Sequence, residues 1–448
     1  METVAAISTP NAPGGIAMIR ISGDRAIEIA DRTVQRADGK PVTELSGYRC
    51  AYGYVSENGT RLDDVIVTVF RAPHSYTGED TAEITCHGGL YVTRQILRLV
   101  LQNGAAPAGP GEFTKRAFLN GKISLTQAEA VMDVIEAEGA QSLRQANLAR
   151  EGRLGTEMKQ ISDALVETMS ALAYWLDDAE EFPPELENDA LTEKITALQS
   201  RLRALEKSYD SGRMLRAGIR TALLGLPNAG KSSVMNWLCG EQRSIVTEIP
   251  GTTRDIVREQ VKIDEFTLLL SDTAGIRQSG DAIEEIGVEQ AMHEAENADL
   301  VLYVIDAAVG VTAQDRELLG SLRGQPVLVL WNKTDLTNEQ PPELPHKCLQ
   351  IAAKSEPSFD AIASALRELF GTAMLADTPC IMNERQAALI RRAEQSLSDA
   401  LGLLQSDSPL DLLLFTLESA ADTLREIDGE HVSEDVINGV FTRFCVGK

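Results

Sequence analysis

Basic residues are in short supply: 42 Lys and Arg stand against 67 Asp and Glu, a formal net charge of -25. A chain of that sign does not coat itself with nucleic acid by counterion release, so any such contact must be local or supplied by a partner. Cysteine is sparse as well. Cys50, Cys86, Cys239, Cys348, Cys380 and Cys445 are scattered, with no CxxC pair and no histidine at a metal-ligand spacing, which excludes a disulfide scaffold and fits a reducing cytoplasm. No stretch reaches the roughly 18 uninterrupted apolar residues of a membrane span. The longest candidate, Leu300 to Val311, carries Asp306 and is expected to be a buried strand. The first residues, METVAAIS, have an acidic second position and no apolar core, so no secretory signal is expected there. Internal repeats and low-complexity tracts are missing too. A soluble, cytoplasmic protein with no membrane partner is the expectation.

What is present is enough for several domains. At 448 residues and 43% hydrophobic content, two or three are expected. From Met1 to about Phe118, β-branched runs (GIAMIRISG, VIVTVF, AEITCHGG) alternate with helical patterns (DRAIEIADRTVQ, YVTRQILRLVLQ), which reads as an α+β domain over 1–118. At Ser124 the pattern changes. SLTQAEAVMDVIEAE pairs Ser124 with Gln127 as a capping box, and helical text runs on to Arg216, with a break expected at the acidic, proline-bearing DDAEEFPPE. This is a first helical part, 119–216. Between about Gly218 and Gly371, the runs TALLGL, FTLLLSD, LVLYVID and PVLVLWN alternate with amphipathic helices, the pattern of a doubly wound α/β domain, placed at 217–375. Helical periodicity returns through Arg385 to Leu404, Leu410 to Leu424 and Val432 to Phe444, a second helical part at 376–448. The α/β unit is thus inserted between helical blocks.

After the strand TALLGL comes Gly225-Leu226-Pro227-Asn228-Ala229-Gly230-Lys231-Ser232-Ser233, a full GxxxxGK[ST] in strand-to-helix context. Its glycines let main-chain N–H groups wrap phosphates, Lys231 reaches the outer phosphates, and Ser232 ligates Mg²⁺. Asp272-Thr273-Ala274-Gly275 follows FTLLLS, which puts a carboxylate where it serves the Mg²⁺ shell and a glycine where the γ-phosphate is sensed. Asn332-Lys333-Thr334-Asp335 follows PVLVLW. There Asp335 can accept from the guanine amino and ring N–H groups, which selects GTP over ATP. The partner segment Ala352-Ala353-Lys354 departs from the usual Ser-Ala-Lys by one hydroxyl. Ile276 follows Gly275 where Ras-like enzymes carry the glutamine that positions water, so the water must be oriented differently. Asn228 in the loop, with the segment Ser244 to Asp255 and its Thr252-Thr253 pair, resembles K⁺-dependent GTPases, in which a monovalent cation supplies positive charge to the transition state.

Phrases outside the α/β unit are more specific. They are Arg20-Ile21-Ser22-Gly23, Ser75-Tyr76-Thr77-Gly78-Glu79-Asp80, His87-Gly88-Gly89, Pro110 through Lys122 (PGEFTKRAFLNGK), and Phe444-Cys445-Val446-Gly447-Lys448. With them the chain resembles, along essentially its full length, the MnmE (TrmE) family of bacterial tRNA-modification GTPases. The resemblance implies an N-terminal tetrahydrofolate-binding domain that dimerises, a helical domain built from both sides of a Ras-like G domain, and GTP hydrolysis that drives work on the wobble uridine of certain tRNAs. It also implies a partner flavoprotein of the MnmG type in a heterotetramer, which alone would bring FAD. Together they would install an aminomethyl-type group from a 5-formyl- or 5,10-methylene-tetrahydrofolate unit.

Carried over position by position, the resemblance puts folate on Arg20, Glu79, Lys122 and Lys448, K⁺ on Asn228, Thr247, Ile249 and Thr252, and Mg²⁺ on Ser232 and Thr253. It gives the water-orienting role to Glu284, with Glu285 a rival one position on. Arginine and lysine suit an anionic glutamyl tail, and a carboxylate suits pterin N–H donors. Cys445 has two readings, a nucleophile or acid beside Lys448 and a packed helical cysteine. His74 and His87 read as structural. A ribosome-assembly switch is the alternative function, against which stands the acidic helical tail, where such proteins carry a basic RNA-binding appendage. A folate-dependent aminomethyl transferase acting on a protein or metabolite is a third reading.

Overall fold

The computed structural model describes residues 2–178, 188–240, 258–271, 294–322, 324–354, 359–374, 379–406 and 408–448. They group into two units, one of Met1–Met132, Ala149–Ala164 and Ala421–Lys448, the other of Asp133–Leu148 and Leu165–Ala420.

In the first unit, β1 (Val4–Ile7), β2 (Ile16–Ser22), β3 (Gln35–Arg36), β4 (Arg49–Glu57), β5 (Thr60–Phe70), β6 (Thr81–His87) and β7 (Ala106–Pro107) form one sheet ordered β3-β4-β5-β6-β2-β1-β7. Alternation explains its faces. In β2, Ala17, Ile19 and Ile21 are buried, and they pack with Ile27, Ile29, Ile96 and Val100 from the helices Ala26–Thr33 and Leu90–Gln102. The antiparallel pairing of β2 with β6 sets Arg20 opposite Glu83. A second cluster joins Leu125, Ala128 and Met132 to Phe441 and Phe444. The helix Leu125–Glu136 starts at the capping box read from the sequence. Ser124 N–H donates to Gln127 Oε1 at 3.0 Å and Gln127 N–H to Ser124 Oγ at 3.3 Å.

In the second unit, β8 (Ile219–Leu224), β9 (Arg258–Ile263), β10 (Phe266–Ser271), β11 (Leu300–Asp306), β12 (Val327–Asn332) and β13 (Lys347–Gln350) are ordered β13-β12-β11-β8-β10-β9. Both faces of β11 are buried. Leu300, Leu302 and Val304 join the helices Lys231–Gly240 and Asp360–Met374 on one side, while Val301, Tyr303 and Ile305 join Leu319 of the helix Ala313–Ser321 on the other. This is the doubly wound arrangement expected. The other strand pairs of this sheet are parallel, and β9 alone runs antiparallel to its neighbour β10. The cause is the two-residue turn Asp264-Glu265, with Asp264 at φ 54°, which makes the pair a hairpin.

Two helices flank the sheet in the chain and pack on each other. Along Asn188–Ala217 the buried Leu191, Ile195, Leu198, Leu202 and Leu205 recur every three or four residues, as do Ile390, Ala393, Leu397, Ala400 and Leu404 along Glu384–Gln405. Gln199 and Arg203 both donate to Glu394 Oε1, at 3.0 and 2.8 Å. The proline-bearing segment read as a helix break lies outside the described residues, between helices ending at Asp178 and starting at Asn188. Among the described residues, no helix is long and apolar enough to cross a membrane.

Candidate functional site

The phosphate loop leaves β8 at Gly225, whose φ is 143° and where a Cβ would stand 2.3 Å from the Val304 carbonyl oxygen, so only glycine lets the loop pass β11. Three residues on, Asn228 takes the left-handed conformation at φ 64°. Gly230 at φ 97° lets the loop approach the guanine-reading segment, since a Cβ there would lie 2.3 Å from Asn332 Nδ2. The helix Lys231–Gly240 then begins, and its first residues Lys231, Ser232 and Ser233 line a cavity. Lys231 Nζ curls back to donate to the carbonyls of Gly225 (2.7 Å) and Leu226 (2.9 Å).

The second wall comes from the ends of β12 and β13. Asn332 Nδ2 donates to the Ala229 carbonyl at 3.1 Å, and Asn332 Oδ1 accepts from Ala353 N–H at 3.3 Å. Thr334 Oγ1 donates to the Ile351 carbonyl at 3.1 Å. A side-chain amide and a hydroxyl thus lace three segments that lie far apart in sequence.

Between these walls is a cavity of about 460 Å³. Asn228, Gly230, Lys231, Ser232 and Ser233 line one side, Asn332, Lys333 and Asp335 another, and Ala353 and Lys354 the rim. Ala229, also expected to bind nucleotide, is buried beneath the loop and serves through its carbonyl. Lys231, Lys333 and Lys354 make the cavity cationic, as phosphates require, and the exposed Asp335 carboxylate lines the same cavity. Leu336, 69% exposed, lines the cavity as well. Sequence reasoning missed it, and its only signal was its place directly after Asp335. Thr247, Ile249, Thr252, Thr253, Asp272, Thr273, Ala274, Gly275 and Glu284 lie outside the described residues.

The residues singled out for folate all fall in the first unit. Arg20 donates from Nε to Glu83 Oε1 at 2.9 Å, and its guanidinium lies 5.6 Å from the ring centres of both Tyr76 and Phe113. Burial pushes the Tyr76 phenol above its ordinary range, and its bond to Thr114 and the nearby Arg20 charge only partly offset that. Glu79 accepts from Ser22 Oγ at 2.8 Å and pairs with Arg116 at 3.0 Å. Arg116 is 4% exposed and also bonds Glu112. Sequence reasoning gives it no role, since nothing local announces that a helical arginine is buried. Lys122 Nζ donates to the Pro73 carbonyl at 3.0 Å.

The segment 445–448 lies against the same region. Pro110 bridges to Val446, Gly111 N–H donates to Cys445 O at 3.3 Å, Ser8 Oγ to Gly447 O at 2.9 Å, and Phe113 N–H to Lys448 O. Cys445 stands beyond the helix Glu434–Phe441 and is exposed, so it is not the packed helical cysteine of the second reading. His87 is exposed with its ring on Asp63 at 2.7 Å, and the bond to that carboxylate raises its pKa. His74 is exposed too.

Comparison with known proteins extends this geometry. Residues 125–445 match the MnmE helical domain, and residues 3–122 match the N-terminus of the GTP-binding protein TrmE. The tRNA modification GTPase MnmE of Alkaliphilus metalliredigens is 37% identical over 457 residues, and that of Acetivibrio thermocellus is 39% identical over 457 residues, each alignment covering 100% of this chain and 99% of the relative. The Bacillus subtilis protein of the same name is 37% identical over 459 residues and covered in full. Among solved structures, Aquifex aeolicus Era bound to GDP and AlF4⁻ is 26% identical with a TM-score of 0.25, over 40% of this chain and 66% of that one. Because relatives of one name align from end to end, through the phosphate loop, the helices on either side and the N-terminal sheet alike, the chain belongs to the MnmE family of tRNA modification GTPases.

Proposed function

We propose that this chain binds and hydrolyses GTP in the cavity between Lys231 and Asp335, and that the hydrolysis serves modification of the wobble uridine of certain tRNAs. One observation supports it above the rest. A phosphate-cradling loop and a carboxylate suited to guanine line the same 460 Å³ cavity, cross-tied by Asn332. Triphosphate charge is matched by Lys231 and by main-chain N–H groups, and guanine by Asp335 Oδ atoms accepting from its amino and ring N–H groups.

Mg²⁺ and K⁺ fit the oxygen donors on offer. Ser232 Oγ is a hard ligand at the first helical turn and Asn228 Oδ1 is one on the loop, with Thr253 and Thr247, Ile249 and Thr252 completing the sets in this reading. When bound, such cations supply positive charge to the transferring phosphoryl group. Glu284 would then orient the attacking water, and Asp272 the Mg²⁺ shell.

A reduced folate fits the first unit. Tyr76, 38% exposed, offers an aromatic face, Arg20, Lys122 and Lys448 suit its anionic tail, and Glu79 suits pterin N–H donors, with exposed Cys445 on the neighbouring segment. In this reading, residues 1–118 bind folate and pair two copies, 119–216 and 376–448 form the helical domain around a G domain at 217–375, and an MnmG-type flavoprotein joins to install an aminomethyl-type group at carbon 5. Mass spectrometry of tRNA nucleosides from a deletion strain tests the function. Loss of a modified wobble uridine, restored by the gene, is expected, and an unchanged nucleoside profile sinks it. For the site, purified protein with Mg²⁺ and K⁺ must bind GTP measurably.

A further inference from the structure

Two bonds tie the guanine-reading segment to the phosphate loop. One is Asn332 Nδ2 to the Ala229 carbonyl, and the other is Lys333 Nζ to the Asn228 carbonyl at 2.8 Å. The second depends on a residue with no role so far. Asp306, the last residue of β11, puts Oδ2 2.5 Å from Lys333 Nζ. Its own position is set by the strand pairing that faces it to Asn332 and by Ala308 N–H, which donates to Oδ1 at 2.9 Å. At 15% and 30% exposure of their side chains, Asp306 and Lys333 are shielded enough for the pair to hold better than a surface one.

The consequence falls on one peptide. Its carbonyl, that of Asn228, accepts from Lys333, and its N–H, that of Ala229, donates to the Leu226 carbonyl at 3.3 Å, so the plane is gripped from both sides. A left-handed non-glycine residue costs on the order of 1 kcal/mol or more and persists only where its surroundings over-determine it. Asn228 at φ 64° is such a residue. Lysine, a single ammonium on a flexible stem, does not grip a carbonyl at a fixed angle without a second partner. Asp306 is that partner.

We infer that Asp306 is a positioning residue of the nucleotide site: by fixing Lys333 it holds the Asn228 carbonyl outward and thereby sets the phosphate loop and the Asn228 side chain toward the cavity. This rests on the nucleotide reading above. It implies that the loop's conformation is controlled from the end of β11, outside every motif of the site.

The test uses the full-length protein and the fluorescent nucleotide mant-GDP, with Asp306→Asn, Lys333→Met and the double variant, each checked for a cooperative thermal transition. Asp306→Asn keeps the size and an acceptor for Ala308 while removing the charge. It is expected to raise the mant-GDP Kd about tenfold and to add nothing in the Lys333→Met background, because it acts through that lysine. The K⁺ concentration for half-maximal GTP hydrolysis is expected to rise with it, and Asp306→Glu to recover part of both. A Kd within about twofold of the unmutated protein, or losses that multiply in the double variant, overturns the inference. Should Asp306→Asn not fold, Asp306→Ser takes its place in the same cycle. If the unmutated protein itself fails to bind mant-GDP, it is the nucleotide reading that falls.

Discussion

The backbone N–H of Phe113 donates to the carbonyl oxygen of Lys448 at 3.0 Å, which fastens the 445–448 segment to the residue whose ring faces the Arg20 guanidinium. That segment reaches its place only because of Gly447. Its φ is 97°, and a Cβ would stand 2.3 Å from the Ile7 carbonyl oxygen.

Gly447→Ala is therefore expected to loosen the segment. The left-handed conformation alone costs about 1–2 kcal/mol for alanine, and the contact with Ile7 adds to it. Hydrogen exchange should quicken at the Phe113 and Gly111 amides, by roughly tenfold if 1.4 kcal/mol is lost, while amides of the β2 and β6 pair keep their protection. Unchanged exchange at Phe113 would show that the segment is not held by this turn.

Asp335→Asn exchanges a double acceptor for an amide that presents one donor and one acceptor. Nucleotide preference should shift from GTP toward xanthosine triphosphate, whose ring carries a carbonyl where guanine carries the amino group. Competition binding with the two nucleotides checks it. A variant that still prefers GTP by the original ratio removes Asp335 from base reading.

Asn228 lines the cavity beside Lys231 and Ser232, where a monovalent cation would add positive charge to the transition state. Replacing K⁺ by Na⁺ at equal ionic strength should slow GTP hydrolysis about 10²-fold or more, as removing a preorganised charge does. Asn228→Ala should be slow in both salts. Equal rates for the unmutated protein in K⁺ and Na⁺ would take Asn228 off the catalytic list.

The strands that carry this site were legible because burial on two faces writes unbroken apolar runs. LVLYVID is β11 to the residue, and PVLVLWN overruns β12 by its leading Pro326 alone. The edge strand β9 was not, since REQVKI mixes charge with apolar residues and pairs on one side only. Short motifs placed Lys231, Ser232 and Asp335 in one cavity, because a strand end fixes where the next residues point. The ties between them stayed hidden. Asn332 to Ala229 and Lys333 to Asn228 join residues more than a hundred positions apart, and no local pattern records a partner at that separation. Burial of Arg116 and the bracing by Asp306 were invisible too, since their partners Glu79 and Lys333 stand 37 and 27 positions away, still beyond any local pattern.

Asp299 offers a test on stability. It accepts from Arg213 at 2.6 Å and from Arg220 at 3.0 Å, and so joins the end of the helix Asn188–Ala217 to β8 and to the turn before β11. Burial alone would raise its pKa, yet the bonds from Arg220 and Arg213 outweigh that and hold the carboxyl below its ordinary value. A depressed folded pKa gives stability that is full above the unfolded value, near 3.9, and is lost as pH falls through the lower folded one. Asp299→Asn should therefore cost about 2 kcal/mol at neutral pH, the worth of charge-assisted hydrogen bonds. The difference in melting temperature between variant and unmutated protein should narrow below about pH 4, because the unmutated carboxyl is then being protonated as well. A difference that stays constant from neutral pH down through this range would mean that the paired charge is not what holds these elements together, and that the geometry of the side chain matters more than its ionisation.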